Sequence, residues 1–458
     1  MADFRLIADR IADDITAGRL RPGQRLPPQR WFARRHRIAP STAGRVYGEL
    51  VRRGLVVGEV GRGTFVRAAP AVGQGRALVE PATSAPVNLE LNYPTAEGQA
   101  ELLAASLAPL LRTDVLTDAL RPAAADGTAA ARASAARLLA QPRWRPDPAQ
   151  ILFTGNARQA IAAALASLVR PGGRVGVEEL TYPLVKEIAG RLGVALVPLA
   201  GDAEGVRPDV LAAAHRAAPL SALYLQPTLH NPTSSTMSER RRRELGRLVV
   251  ESGLPVVEDR IWSFLRPDAA AFAAHAPGLT HVVDGLSKRV APGLTVGFLV
   301  VPHERVEAVA AAVRSGGWSA ARFAMEAAVR WTGDGVVRRL VEAKRADAAR
   351  RQAILTEHLV QPQERMSGRL GGGSVRTDPH ACFAWWELPA PWRADTFTAA
   401  AAAHGIAVTP GTAFAVDPHR TPDAVRLGLA SAPEAELARA LRTLAGVAAA
   451  GPPGSGGG

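Results

Sequence analysis

The sequence predicts a multidomain chain. A small N-terminal winged helix-turn-helix module precedes a large α/β domain, which closes in a smaller α+β subdomain. Three observations predict this. Residues 1–67 carry three short helical patterns followed by a strand–turn–strand. From about residue 87, apolar bursts of strand length alternate with helical stretches, the rhythm of a largely parallel sheet covered by helices. Between these parts, residues 68–86 lack apolar periodicity and read as a linker. At 458 residues the chain is long enough for two or three domains and a sizeable core. The expected boundaries are a module at 1–67, a linker at 68–86, and a large domain at 87–447 with its small subdomain from about 335. Residues 448–458, rich in Gly and Pro, are expected to be a disordered tail.

In the first module, Phe4, Ile7, Ala8, Ile11, Ala12 and Ile15 fall on one helical face, and Gly18 ends that helix. Leu26-Pro27-Pro28-Gln29-Arg30 opens a second helix with proline in its first turn. A turn near Arg37-Ile38-Ala39 leads to a third helix from Pro40 or Ser41 to about Arg53. Leu55–Val66 reads as a hairpin turning near Gly58–Gly63. In such a module the third helix enters the DNA major groove and the hairpin reaches toward the backbone or minor groove.

In the large domain the strand candidates are Arg174–Glu178, Val194–Pro198, Leu220–Leu225, Pro255–Glu258, His281–Asp284 and Val296–Val301. Helical patterns cover Ala157–Val169, Leu184–Arg191, Pro208–Arg216 and Glu239–Ser252. Long helical patterns follow Val301. Strands are expected near Cys382–Leu388, Ile406–Thr409 and Val425–Leu429.

The net charge is +13, and residues 1–67 hold fourteen Arg against six Asp or Glu. A small module with that excess suits a phosphate-rich partner. The single cysteine, Cys382, excludes an intrachain disulfide framework and reads as a buried core thiol. No Cys/His cluster has zinc spacing, so no metal site is expected. No apolar run is long enough for a bilayer and no secretory signal is evident, so a cytoplasmic location is expected. Against 52 arginines stand three lysines, one of them Lys288 in Gly285-Leu286-Ser287-Lys288-Arg289. A buried lysine can lose its proton and attack an aldehyde; arginine stays charged.

The first module resembles the GntR family of transcriptional regulators. The resemblance rests on Gly18-Arg19-Leu20-Arg21-Pro22-Gly23-Gln24-Arg25-Leu26-Pro27, Tyr47-Gly48-Glu49-Leu50 and Gly61-Arg62-Gly63-Thr64-Phe65-Val66. It implies double-stranded operator DNA as partner, contacted by Arg30, Ser41, Thr42, Arg45 and the wing residues Gly61, Arg62, Gly63 and Thr64. Pro40 and Gly44 stand where the family often has arginine. Losing bidentate guanidinium contacts to guanine changes which bases are read.

Residues 87–447 resemble fold-type I aminotransferases, which use pyridoxal 5'-phosphate (PLP), and the two modules together resemble the MocR subgroup of GntR regulators. The resemblance assigns Lys288 to the Schiff base and Asp259, of Glu258-Asp259, to the pyridine nitrogen. It assigns Asn231, of Asn231-Pro232-Thr233, to the phenolate oxygen and Tyr182 to ring stacking. Thr154, Gly155 and Asn156, ahead of a helix, are placed at the phosphate, with Ser287 and Arg289 as further phosphate contacts. Arg426 matches the arginine that grips a ligand carboxylate.

Three departures bear on function. Thr295 stands where the family pairs an arginine with the phosphate, Gly285 where a hydroxyl residue helps, and Arg260-Ile261-Trp262 where a tyrosine follows Asp259. Losing a charge-assisted phosphate contact costs on the order of 1.5–3 kcal/mol. The expectation is therefore a homodimeric regulator that holds PLP on Lys288 and senses PLP or an amino compound, rather than an efficient enzyme. Two alternatives stand beside it: an active aminotransferase carrying a DNA-binding module, and a PLP-independent repressor with a degenerate pocket.

Overall fold

In the computed structural model the described residues are 4–16, 19–20, 24–52, 55–59, 63–66, 85–141, 143–363, 373–417 and 420–452. The N-terminal module has helices Phe4–Thr16, Gln29–Arg35 and Pro40–Arg52, close to their expected bounds. The second starts later than Leu26 because Arg25–Leu26 joins a sheet. That pair lies antiparallel to Gly63–Val66, which pairs in turn with Val56–Glu59. Ala8, Ile11, Leu26, Phe32, Val46, Tyr47, Leu50 and Val66 form one core, and the Tyr47 hydroxyl donates to Pro27 O at 2.6 Å. Arg37 takes a positive φ of 52° in the turn between the second and third helices.

The large domain is built on a seven-stranded sheet. Its spatial order is Ile151–Thr154, Gly297–Val300, Thr280–Gly285, Val256–Asp259, Ala222–Leu225, Arg174–Glu178 and Ala195–Leu199. Gly297–Val300 runs antiparallel to both neighbours and the other pairings are parallel. The strands are almost wholly apolar and buried because helices cover both faces. Helices Ala157–Leu168, Pro183–Arg191, Pro208–Ala217 and Glu239–Ser252 supply crossovers. Gly297 is required by close approach: a Cβ there would lie 2.3 Å from Thr154 Oγ1 and 2.4 Å from Asn156 C.

A long helix, Val336–Leu355, leads to the small subdomain. Its antiparallel sheet runs Ser374–Arg376, Phe383–Glu387, Ala424–Gly428 and Thr409–Pro410. Cys382 is fully buried there, as the apolar run around it implied. Val87–Asn88 pairs in parallel with Ile406–Ala407, so the first residues after the linker are stitched into this subdomain. The expected tail begins too early. The last helix runs from Glu434 to Ala450, since Leu441, Leu444 and Ala448 pack into the subdomain core. Residues 453–458 and the linker positions 68–84 lie outside the described residues.

Candidate functional site

The strands end where the sheet, the small subdomain and the segment 90–93 meet, enclosing a cavity of about 110 Å³. Lys288, Asp259, Asn231, Tyr182, Asn156, Ser287 and Arg426 all line it. Topology alone brings these residues together, since they span most of the domain in sequence.

Lys288 follows the strand Thr280–Gly285. Its Nζ donates to Asn92 O at 2.6 Å and lies 4.0 Å from the Tyr93 ring centroid and 5.0 Å from that of Trp262. Burial, and then the Arg426 charge, pull its pKa down to about 7.

Asp259 ends its strand fully inside the protein. Oδ2 accepts from Tyr224 Oη at 2.8 Å and Gln226 Nε2 at 2.9 Å, and Oδ1 accepts from the Ile261 amide at 3.0 Å. Burial pushes its pKa up. Its neighbour Glu258 points to the opposite face, as strand alternation requires. There it accepts from Arg260 at 3.0 Å and from the amides of Phe272 and Ala273 at 2.8 and 2.9 Å, a structural role. Gln226 bridges two carboxyls, since its own amide donates to Glu178 Oε1 at 2.9 Å. Burial raises the Glu178 pKa to about 8.

Asn231 lies in a loop where Leu229 and Ser234 adopt positive φ of 50° and 60°. Non-glycine residues hold such angles at a cost of order 1 kcal/mol, which concentrates at functional sites. The Asn231 amide donates to Gln226 Oε1 at 3.1 Å, while Asn231 Oδ1 is buried without a hydrogen-bond partner. Tyr182 precedes the helix Pro183–Arg191, and burial raises its pKa. Arg426 is buried on Ala424–Gly428. Its Nη2 donates to Glu90 O and, at 3.2 Å, to Thr409 Oγ1, and its Nε has no partner.

Three expected phosphate contacts fall elsewhere. Arg289 is turned away, clasping Asp284 (Nη2 to Oδ2, 2.9 Å) and Gly285 O (3.1 Å), because the buried Asp284 carboxylate needs a counter-charge. The Thr154 hydroxyl folds back onto Asn156 O at 2.9 Å, and the Gly155 amide donates to Trp318 O at 3.1 Å. Asn156 caps the helix Ala157–Leu168 through the Gln159 amide at 3.1 Å. Ala157 and Arg158, in the first turn of that helix, line the cavity. Thr295 also lines it, with Oγ1 buried and unpartnered. A side chain at Gly285 has no room, since a Cβ would meet Val296 O at 2.9 Å.

Sequence reasoning missed Arg158, Glu90, Asn92, Tyr93, Trp262 and Gln226 at this cavity. Arg158 adjoins the Thr154-Gly155-Asn156 turn and was within reach of the motif. Glu90, Asn92 and Tyr93 come from a segment whose placement only tertiary pairing sets. A larger cleft of about 1270 Å³ borders Glu178, His230 and Arg242 but holds none of the three lysines.

On the N-terminal module, Arg30, Ser41 and Arg45 are exposed, while Thr42 and Thr64 are half-buried. Ser41 sits in the first turn of the third helix. Arg45 packs its guanidinium 4.1 Å from the Phe4 ring centroid. Gly63 holds a φ of 123° at the wing. Gly61 and Arg62 lie outside the described residues. Among the described residues no helix is long and apolar enough to cross a membrane, and no cluster of three or more His, Cys, Asp or Glu could hold a metal.

The sheet order and the lysine-bearing cavity are those of an aminotransferase-type domain, here joined to a winged helix. Residues 93–444 match the family model for aminotransferase class I and II, and residues 5–66 match that for bacterial regulatory proteins of the GntR family. An archaeal alanine:glyoxylate aminotransferase superposes with a TM-score of 0.71 at 20% identity, covering 80% of this chain and 91% of that one. The α-aminoadipate aminotransferase LysN of Thermus thermophilus gives 0.70 at 22%, covering 82% and 94%. Both show the fold. Among curated relatives, the uncharacterized HTH-type transcriptional regulator YdeF of Bacillus subtilis is 27% identical over 93% of this chain and 90% of its own length. The HTH-type transcriptional regulator TauR of Rhodobacter capsulatus is 25% identical over 94% and 95%. The chain belongs to the class I and II aminotransferase family and, with its GntR domain, is a transcriptional regulator of the MocR type.

Proposed function

We propose that the chain binds operator DNA through its winged helix and holds PLP at Lys288, so that PLP or an amino compound sets its DNA-binding state. The observation that supports this best is the Lys288 amine, brought to about pKa 7 in the same cavity as Asp259, Asn231, Tyr182 and Arg426. The residues fit the cofactor on a structural criterion. Asn231 Oδ1 and Thr295 Oγ1 are buried polar atoms without partners, and such atoms ask for a ligand.

In this reading Lys288 holds the aldehyde carbon and Asp259 the pyridine nitrogen. Asn231 faces the phenolate oxygen and Tyr182 the ring. The first-turn amides at Ala157 and Arg158, with Ser287 and Thr295, receive the phosphate in place of the missing arginine. When bound, PLP supplies an electrophilic carbon that amines compete for. Arg426 offers a planar donor pair to a ligand carboxylate. Tyr224 and Gln226 fix the Asp259 carboxylate, and the rings of Tyr93 and Trp262 exclude water from the amine.

The route to DNA runs through the cavity wall. Segment 87–93 is the first part of the chain after the linker. It accepts from Lys288 at Asn92 O and from Arg426 at Glu90 O. An amine that takes the place of Lys288 breaks the first of these bonds. A ligand carboxylate competes for the second. Differential binding to two arrangements of this wall is what a sensor requires. A homodimer presenting two winged helices to two half-sites completes the proposal.

The test is spectroscopic and functional together. Added PLP should give the full-length protein a visible absorbance band that Lys288→Ala abolishes. Gel shifts on the chain's own upstream region, at stated salt, should change when PLP or an amine is added. A protein that stays colourless with PLP discards the cofactor claim. DNA binding that ignores every addition discards the sensor claim. Steady turnover of an amino donor with a keto acid supports the enzyme reading instead.

A further inference from the structure

The cavity holds one more charge that the cofactor reading leaves without a task. Glu90 lines it, on the same wall as Asn92 and Tyr93. Its Oε2 is buried and accepts no hydrogen bond among the described residues. Arg426 does not satisfy it: the guanidinium donates to the backbone carbonyl of Glu90 and to Thr409 Oγ1. Burial pushes the Glu90 pKa up, and the Arg426 charge pulls it back down. An acid left half-buried beside a ligand cavity, with its own cation spent on the main chain, is complementary to a cation that arrives with the ligand.

Resting on the reading of the cavity given above, we infer that Glu90 selects an effector with a second positive group. The effector class is a diamino or basic amino acid, whose carboxylate meets Arg426 and whose distal ammonium meets Glu90. The geometry works by exclusion as well as attraction. A dicarboxylic amino acid would bring a second anion against Glu90, and a neutral side chain would leave Glu90 Oε2 unpaired. Because Glu90 belongs to the segment that continues from the linker, its occupation acts on the same wall as release of Lys288.

The experiment titrates PLP-loaded, full-length protein with L-ornithine, L-lysine, L-norleucine and L-glutamate. Binding is read by calorimetry and by the change in cofactor absorbance. The expected result is that L-lysine or L-ornithine binds at least about tenfold more tightly than L-norleucine, with L-glutamate weakest. Glu90→Gln should bring lysine and norleucine to within about threefold while leaving norleucine nearly unchanged. Glu90→Asp, which keeps the charge, should retain the preference in part and serves if the glutamine variant fails to fold. Equal affinity for lysine and norleucine in the native chain overturns the inference, as does an unchanged ratio in Glu90→Gln. A normal cofactor band, lost in Lys288→Ala, without amine discrimination overturns the Glu90 assignment alone. Absence of the band overturns both readings.

Discussion

The pH dependence of cofactor capture tests the lysine directly. An ordinary lysine with a pKa of 10.5 has roughly one amine in 3000 neutral at pH 7. With a pKa of about 7, Lys288 is about half neutral there. The gain in reactive amine is therefore on the order of a thousandfold, before any effect of positioning. The sign follows from the chemistry, since only the neutral amine attacks. The initial rate of band formation after mixing with PLP should rise about tenfold per unit up to pH 7 and level off above about pH 8. Stopped-flow absorbance across that range reads it. Arg426→Gln removes a nearby positive charge, so the inflection should move to higher pH in that variant. A rate still climbing tenfold per unit between about pH 8 and 10 would refute a desolvated amine, because that is the profile of an exposed lysine.

Three further outcomes are expected. The Glu178 pKa is raised by burial to about 8, so the folded state binds a proton that the unfolded state gives up above about pH 4.5. That stabilisation is full at acidic pH and is lost as pH rises through 8; the melting temperature should fall over this window, and Glu178→Gln should flatten the fall. Glu258→Ala leaves Arg260 and two amides unpaired in the core, at a cost of about 3–5 kcal/mol, measured by denaturant unfolding. Arg30→Ala and Arg45→Ala should weaken DNA binding. If each contacts a phosphate, each should lower the slope of log affinity against log salt by about one; an unchanged slope would place them off the backbone.

Most of the architecture is legible in the sequence because its signals are periodic. The strand Arg174–Glu178 and the helix Glu239–Ser252 fall where the apolar pattern puts them. The strand Ile151–Thr154 escapes that reading because its four residues abut the stronger helical pattern from Ala157. Ser374–Arg376 lacks an apolar alternation, since it is an edge strand facing solvent. At the site, Lys288, Asp259, Asn231, Tyr182 and Arg426 are legible as an ordered set of motifs, and all line the cavity. Arg289 is misplaced by sequence reasoning because neighbours along the chain alternate direction, and Asp284 claims its guanidinium. Nothing local marks Glu90 or Gln226. Their roles come from long-range contacts, at Arg426 in one case and at Asp259 in the other.

The scarcity of lysine, which makes position 288 conspicuous in the sequence, needs a second explanation. All three lysines donate to main-chain carbonyls: Lys186 to Ala415 O at 3.0 Å, Lys288 to Asn92 O at 2.6 Å, and Lys344 to Lys288 O and Val290 O at 3.1 and 2.6 Å. Burial lowers all three, to about 8, 7 and 8. An ammonium is a compact charge that fits a cup of carbonyls, whereas a guanidinium is a wide planar fork. Packing therefore accounts for lysine at 186 and 344, and composition alone does not single out 288. Position does: of the three, Lys288 lines the cavity. Lys344 then takes a supporting part, tying down the carbonyls on either side of Arg289. Lys344→Met should cost about 1–3 kcal/mol by leaving those carbonyls unpaired, and should slow PLP capture by loosening the turn that presents Lys288. An unfolding midpoint lowered with an unaltered capture rate would show that Lys344 serves the fold alone.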